Sequence, residues 1–204
     1  MHATNGNWGF RLMVLGLPVS FLLDMPVAEV PPDLRLAAGV GGVFVALGLL
    51  GNVWALWLEV SGGRGAAWRV ALIFLAAKAL AELGLSLPSV ALWAERMGLR
   101  ILYLHILLLG FVTLGLMAAV RDSWGPEVAY GRRWMTVAVL LLLATLIPLT
   151  RLWPLVWTGR WVLVAAAWAF LAPVVVGMAM WVTAWERMRE LQHRLHDPAE
   201  QRGA

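Results

Sequence analysis

The sequence predicts an all-α fold, a polytopic membrane helix bundle with about six transmembrane helices. Of its 204 residues, 61% are apolar and 14% are charged, whereas soluble domains carry about 45–50% apolar and about 25% charged residues. The apolar residues occur in long runs that are separated by arginines, glycines and prolines. Because backbone polar groups must be satisfied internally in lipid, and the runs lack the alternation of a barrel, we expect each run to be helical.

The runs define a single transmembrane bundle over residues 1–187 and a charged cytoplasmic tail over residues 188–204. A helix needs about 20 mostly apolar residues to cross the hydrocarbon core. On this basis the expected spans are residues 9–28, 34–60, 67–87, 99–120, 134–149 and 160–185.

The first of these spans is the least regular, because Pro18 and Asp24 interrupt it. It could be a tilted span, a re-entrant segment or an interfacial helix, and a full span is the preferred interpretation. Pro31, Pro32 and Asp33 then break the chain before the second span.

The second span is rich in glycine, which lets helix backbones approach closely in lipid. We therefore expect a packing face there and not a ligand cradle. Proline marks the later spans: the third ends at Pro88, Pro148 lies near the end of the fifth, and Pro173 is expected to kink the sixth.

Arginines predict the orientation, since cytoplasmic loops carry an excess of basic residues. With six spans and a cytoplasmic N-terminus, ten arginines lie inside: Arg11, Arg64, Arg69, Arg121, Arg132, Arg133, Arg187, Arg189, Arg194 and Arg202. Five lie outside: Arg35, Arg96, Arg100, Arg151 and Arg160. Both termini are therefore expected in the cytoplasm.

Composition also excludes several kinds of site. The chain has no cysteine, so disulfides, thiolate nucleophiles, zinc–thiolate sites and covalently attached haem are excluded within it. The net charge of +4 comes from arginines scattered at helix ends, a pattern typical of lipid headgroup contact and not of nucleic-acid binding. The sequence offers no catalytic motif and no metal site.

His105 is the only histidine within a predicted span. An ionisable residue in the membrane is a candidate functional residue because placing it there is costly. Its imidazole could ligate haem iron, or it could hydrogen-bond within the bundle as a packing element. Tyr103 is expected on a different helix face and is not a predicted partner.

Lys78 and Glu82 form the second candidate, an intramembrane polar pair in the third span. Four residues apart on a helix, they share one face, where each can neutralise the other. The pair is expected to be a structural ion pair or a proton-relay or anion-contact element. Alternatively, Glu82 could orient the ring of His105 from the neighbouring helix.

The stretch from Lys78 to Leu116, "KALAELGLSLPSVALWAERMGLRILYLHILLLGFVTLGL", resembles a family of uncharacterised bacterial membrane proteins distantly related to haem-copper oxidase subunit I. The shared elements are a lysine-led helix, a linker with proline, and a helix that opens with Tyr-Leu-His. The resemblance covers only the C-terminal half of that subunit. In those oxidases the corresponding helix carries His-X-His, but here Tyr103 takes the first position and the ligand set is incomplete.

The resemblance implies a bacterial inner-membrane protein that lacks an oxygen-reducing site. We expect a non-catalytic or accessory subunit of a respiratory or other electron-transfer complex, in contact with other membrane subunits or with copies of itself. One alternative is an electron-transfer protein that binds haem b through His105. Another is a small transporter or proton-conducting protein that uses Lys78 and Glu82.

Overall fold

The computed structural model describes residues 6–25, 29–60, 65–124, 131–154 and 159–196. Throughout this part the chain is helical and contains no strand, which confirms the predicted all-α fold class. The last residues of the predicted tail, 197–204, and the short stretches between the ranges lie outside the described residues.

The first two helices pack antiparallel through glycines. α1 runs Gly6–Ser20, continues as a 3₁₀ turn over Phe21–Asp24, and packs on α2, Pro32–Val60. A Cβ atom at Gly48 would lie 2.5 Å from the Gly9 carbonyl oxygen, and one at Gly41 would lie 2.9 Å from that of Gly16. The two backbones are therefore in direct contact, and the predicted packing role of the α2 glycines is confirmed.

A proline ends the third helix and starts a short fourth one. α3 runs Ala66–Leu85 and α4 runs Pro88–Arg96. Leu87 is extended, with φ −89° and ψ 121°, because a residue before proline is disfavoured in the helical region. The two helices meet at 111°. The sequence did not predict α4, since its nine residues were assigned to a linker.

The fourth predicted span begins after a Schellman motif. Gly98 has φ +67°, a left-handed conformation that suits glycine, and the amides of Gly98 and Leu99 donate to the carbonyls of Glu95 and Ala94. The chain then enters α5, Arg100–His105.

The span continues from α5 through an unpredicted π-helical segment. This segment covers Ile106–Thr113, and α6 follows over Leu114–Trp124. Phe74 of α3 fills the space left by Gly110, where an added Cβ would lie 2.5 Å from Phe74 Cγ. Residues 100–124, which include most of the predicted span 99–120, therefore form one rod of three helical pieces.

The last two helices form the C-terminal part of the bundle. α7 runs Arg132–Leu146 and continues as a 3₁₀ turn over Ile147–Leu149, and α8 runs Arg160–His196. This helix covers the predicted sixth span, 160–185, and extends into the charged tail. Pro173 lies inside this continuous helix.

The core lies between α3, α6, α7 and α8. Its buried side chains are Ala71, Leu114, Met117, Met135, Val139, Leu142, Leu143, Leu146 and Ala169. They are uniformly apolar, so packing here supplies no chemistry and instead fixes the positions of the helices around α3.

Among the described residues, four helices are long and apolar enough to cross a membrane: Pro32–Val60, Arg100–Ser123, Arg132–Leu149 and Arg160–Glu190. A fifth is obtained if the bent pair of α3 and α4 counts as one span. Large apolar side chains cover the outside of these helices, among them Trp168 and Trp181, which are 70% and 72% exposed. This surface is compatible with a membrane protein.

Contacts place the helix ends in two groups. At one end, the amide of Arg151 donates to the carbonyl of Met97 at 3.0 Å. At the other, the indole of Trp68 donates to Asp122 at 2.7 Å, joining the start of α3 to the end of α6. Met97 and Arg151 therefore lie at one end of the helix bundle, and Trp68 and Asp122 lie at the other end.

Candidate functional site

The polar centre of the bundle lies where the end of α3 meets α5. Two hydrogen bonds finish α3 one turn after Glu82: the amide and the hydroxyl of Ser86 both donate to the Glu82 carbonyl, at 3.0 and 2.9 Å. Ser86 packs against the glycine face of α2, where a Cβ at Gly42 would lie 2.5 Å from its hydroxyl oxygen. Glycine in α2 therefore brings the end of α3, and with it Glu82, into the bundle.

Lys78 and Glu82 form an ion pair on this end of α3. Lys78 Nζ donates to Glu82 Oε2 at 2.8 Å. Only 12% and 9% of the two side chains are exposed, so the pair is largely withdrawn from its surroundings. In such a site each charge depends on the other for compensation.

Tyr103 of α5 completes a triad with this pair. Its hydroxyl donates to the same Glu82 Oε2, and Lys78 Nζ lies 5.7 Å from the centre of its ring. Glu82 thus accepts from an ammonium and from a phenol, while the ammonium also faces an aromatic ring. We call Lys78, Glu82 and Tyr103 the buried triad.

His105 is not part of the triad. Its Nδ1 lies 2.7 Å from the carbonyl oxygen of Ile101, one turn earlier on its own helix. Because a carbonyl only accepts, this contact is a hydrogen bond when Nδ1 carries a proton, and in that neutral tautomer the lone pair is on Nε2. The imidazole is partly exposed, and among the described residues Nε2 has no hydrogen-bond partner.

The structure therefore separates the two sequence candidates. The alternative in which Glu82 orients His105 is wrong. The Glu82 carboxylate accepts a hydrogen bond from Tyr103, and the ring of His105 is hydrogen-bonded to a backbone carbonyl of its own helix. Tyr103 was correctly placed on a face different from that of His105. Its role as a partner of Glu82 was missed.

A signal for Tyr103 was present in the sequence. A buried phenol usually needs a hydrogen-bond acceptor, and Glu82 is the only carboxylate in the middle of the preceding span. What the sequence lacked was the rotation of α5 relative to α3, which the short α4 and the Gly98 turn set.

A cavity of about 330 Å³ adjoins the triad. Tyr103 lines it, whereas Lys78 and Glu82 do not. The remaining lining residues come from the 3₁₀ turn after α1 and the residue that follows it, from the end of α3, from α4, and from the first residue of α5 with the one before it: Leu23, Met25, Ala81, Gly84, Leu85, Val90, Ala91, Trp93, Ala94, Glu95, Leu99 and Arg100. The cavity is mainly apolar, and Tyr103 is the member of the triad that lines it.

The arrangement holds an ion pair together with a phenol inside the bundle. The triad satisfies its own ionic groups, and in the described part of the chain no three His, Asp or Glu side chains come together as a metal site would require. The haem proposal therefore depends on His105 alone among these residues.

No protein-family model, curated protein or solved structure shows a significant match to the chain. The resemblance of the stretch from Lys78 to Leu116 to relatives of haem-copper oxidases stays a prediction.

Proposed function

We propose that the chain is a multi-pass protein of a bacterial inner membrane and acts as a non-catalytic subunit of an electron-transfer complex. The observation that carries the non-catalytic part is the buried triad. Lys78, Glu82 and Tyr103 satisfy one another, so the group supports a structural role in joining α3 to α5. The electron-transfer setting rests on the resemblance of the stretch that contains His105.

We further propose that α1 is a sixth span. Its 15 helical residues measure about 22 Å, and the four-residue 3₁₀ turn adds about 8 Å. The sum approaches the hydrocarbon thickness of about 30 Å. The close antiparallel contact with α2 supports the same arrangement, which places both termini in the cytoplasm by the arginine distribution.

Single cysteines test this topology, since the chain has none of its own. Thr4→Cys and Gly203→Cys are expected to react with a membrane-impermeant maleimide only after spheroplasts are permeabilised. Leu152→Cys, between α7 and α8, is expected to react in intact spheroplasts. Labelling of Thr4→Cys from outside would mean that α1 does not cross.

Purification in mild detergent from native membranes tests the subunit role. We expect the tagged protein to migrate on native gels as a complex that contains integral subunits of one electron-transfer enzyme in fixed stoichiometry. A stable lone monomer with an activity of its own would contradict the proposal.

Haem binding through His105 is the second candidate, favoured by the hydrogen bond from Nδ1 to Ile101. A second hydrogen bond of this kind commonly orients a metal-bound histidine and leaves Nε2 for the metal. Since His105 does not line the cavity, a haem here would lie at a contact with another subunit or another copy.

The test of haem binding is the visible spectrum of the purified complex, oxidised and reduced, beside the spectra of His105→Ala and of the control Tyr103→Phe. A Soret band lost only in His105→Ala would establish ligation, and a colourless wild-type complex would exclude it.

Transport or proton conduction through Lys78 and Glu82 is a third possibility, supported by the position of the triad beside a cavity. Flux in proteoliposomes that is abolished by Lys78→Met with Glu82→Gln would support it. Unchanged flux in that variant would remove it.

A further inference from the structure

We propose that the cavity between α3, α4 and α5 binds one acyl chain of a membrane phospholipid, with the lipid phosphate at Arg100. The inference rests on the membrane insertion proposed above and goes beyond the subunit role. It assigns a ligand class to a site that neither the triad nor His105 uses.

The lining of the cavity favours an apolar ligand such as a hydrocarbon chain. Aliphatic surface is supplied by Ala81 and Leu85 of α3, by Val90 and Ala91 of α4, and by Leu99 just before α5. A cavity of about 330 Å³ lies at the small end of the range of about 300–1,000 Å³ that ligand sites occupy. It therefore suits one chain and not a bulky ring system.

Tyr103 strengthens the argument for a chain without polar groups. It is a polar residue of the lining, but its hydroxyl is committed to Glu82. A ligand in the cavity therefore meets the ring of Tyr103 and is not required to supply a hydrogen bond there. A polar ligand would lose its hydration in this part of the cavity without compensation.

The rim of the cavity has the character of the lipid headgroup region. Trp93 is 46% exposed and lines the cavity, and indoles concentrate at this level of the bilayer. Arg100 also lines the cavity and is exposed, and its guanidinium matches phosphate oxygens in geometry and charge. Glu95 lies on the same lining, so the rim does not demand a headgroup with net negative charge.

Position along the bundle agrees with this assignment. The cavity lies at the bend between α3 and α4, close to the end marked by Met97 and Arg151. A lipid whose phosphate is at this end would extend its chain towards Tyr103, alongside the spans. Phosphate and chain are therefore accommodated by the same site.

The experiment is native mass spectrometry of the full-length protein in detergent after delipidation. Phosphatidylethanolamine is added back beside diacylglycerol with the same chains. We expect one phosphatidylethanolamine molecule to bind in preference to diacylglycerol by at least about tenfold, the lower end of the range for one charge-assisted hydrogen bond. Arg100→Gln is expected to abolish the preference and keep chain binding.

A variant that fills the cavity provides a second test of the proposed lipid site. Gly84→Leu projects into it, and a Cβ at Gly84 makes only ordinary contact, 3.6 Å from Val90 Cγ1. The matched control is Gly177→Leu in α8, where a Cβ would lie 3.7 Å from Met135 Cε. We expect loss of the bound lipid in the first variant and retention in the second.

Equal lipid binding by Gly84→Leu and wild type, or equal binding of phosphatidylethanolamine and diacylglycerol by wild type, would overturn the proposal. Helical content from circular dichroism and elution volume from size-exclusion chromatography identify a variant that has not folded. If Gly84→Leu does not fold, Gly84→Ala replaces it, with a smaller expected loss of bound lipid. Cysteine labelling reports membrane insertion separately. Failure of the lipid site is thereby distinguished from failure of the proposed topology.

Discussion

Tyr103 and His105 lie two residues apart on one helix, yet they occupy contrasting environments. Tyr103 reaches across to α3 and joins an ion pair, whereas His105 bonds only to the backbone of its own helix. Tyr103 therefore links α5 to α3, whereas the hydrogen bond of His105 stays within α5. The cost of an intramembrane polar group therefore does not by itself show whether that group stabilises the bundle or is kept for a ligand.

The largest effect is expected from breaking the ion pair on one side. Lys78→Met leaves the Glu82 carboxylate buried without its ammonium, and loss of one partner of such a pair costs about 3–5 kcal/mol. The free energy of unfolding, measured in mixed micelles by circular dichroism, is expected to fall accordingly.

The double variant Lys78→Met with Glu82→Gln provides the control, because it removes both charges. We expect it to be more stable than Lys78→Met alone. If the single variant were as stable as wild type, the triad would not hold α3 to α5.

Tyr103→Phe is expected to have an intermediate effect. It keeps the aromatic ring near Lys78 but removes the hydroxyl that donates to Glu82, and a hydrogen bond to a charged group contributes about 1.5–3 kcal/mol. The same unfolding measurement tests it. Equal loss in Tyr103→Phe with and without Glu82→Gln would show that the two side chains act independently.

His105→Ala is expected to have the smallest effect on the isolated protein. Its single hydrogen bond lies within one helix, and polar contacts of membrane helices contribute about 0.6 kcal/mol on average. The free energy of unfolding should change by no more than about 1 kcal/mol. A loss as large as that of Lys78→Met would mean that His105 stabilises the bundle and would weaken its assignment as a ligand.

Much of the helical fold was predictable because long apolar runs favour helices. The second span was predicted at 34–60, and the corresponding helix is Pro32–Val60. α8 begins at Arg160, where the sixth span was predicted to begin, and continues past residue 185 into the charged tail. Pro88 marked the end of α3, but the proline also starts α4, and apolarity alone gave no reason to expect that short helix.

The site was predicted in part. Lys78 and Glu82 followed from helical spacing, which is a local property. Tyr103 did not, because its contact depends on how α4 and the left-handed Gly98 rotate α5 against α3. The cavity was also beyond prediction, since residues from four helices line it.

The π-helical segment Ile106–Thr113 sets the phase between the two halves of its span. A π turn holds more residues than an α turn, and each extra residue rotates the following faces by about 100° relative to a uniform α-helix. The half before the segment directs Tyr103 to Glu82 of α3, while the half after it directs Leu114 and Met117 into the core shared with α3, α7 and α8. Both halves of the rod therefore pack on α3, and the second half also contacts α7 and α8. Deleting a single residue from this segment would rotate the contacts of one half relative to those of the other, although every remaining side chain would be unchanged.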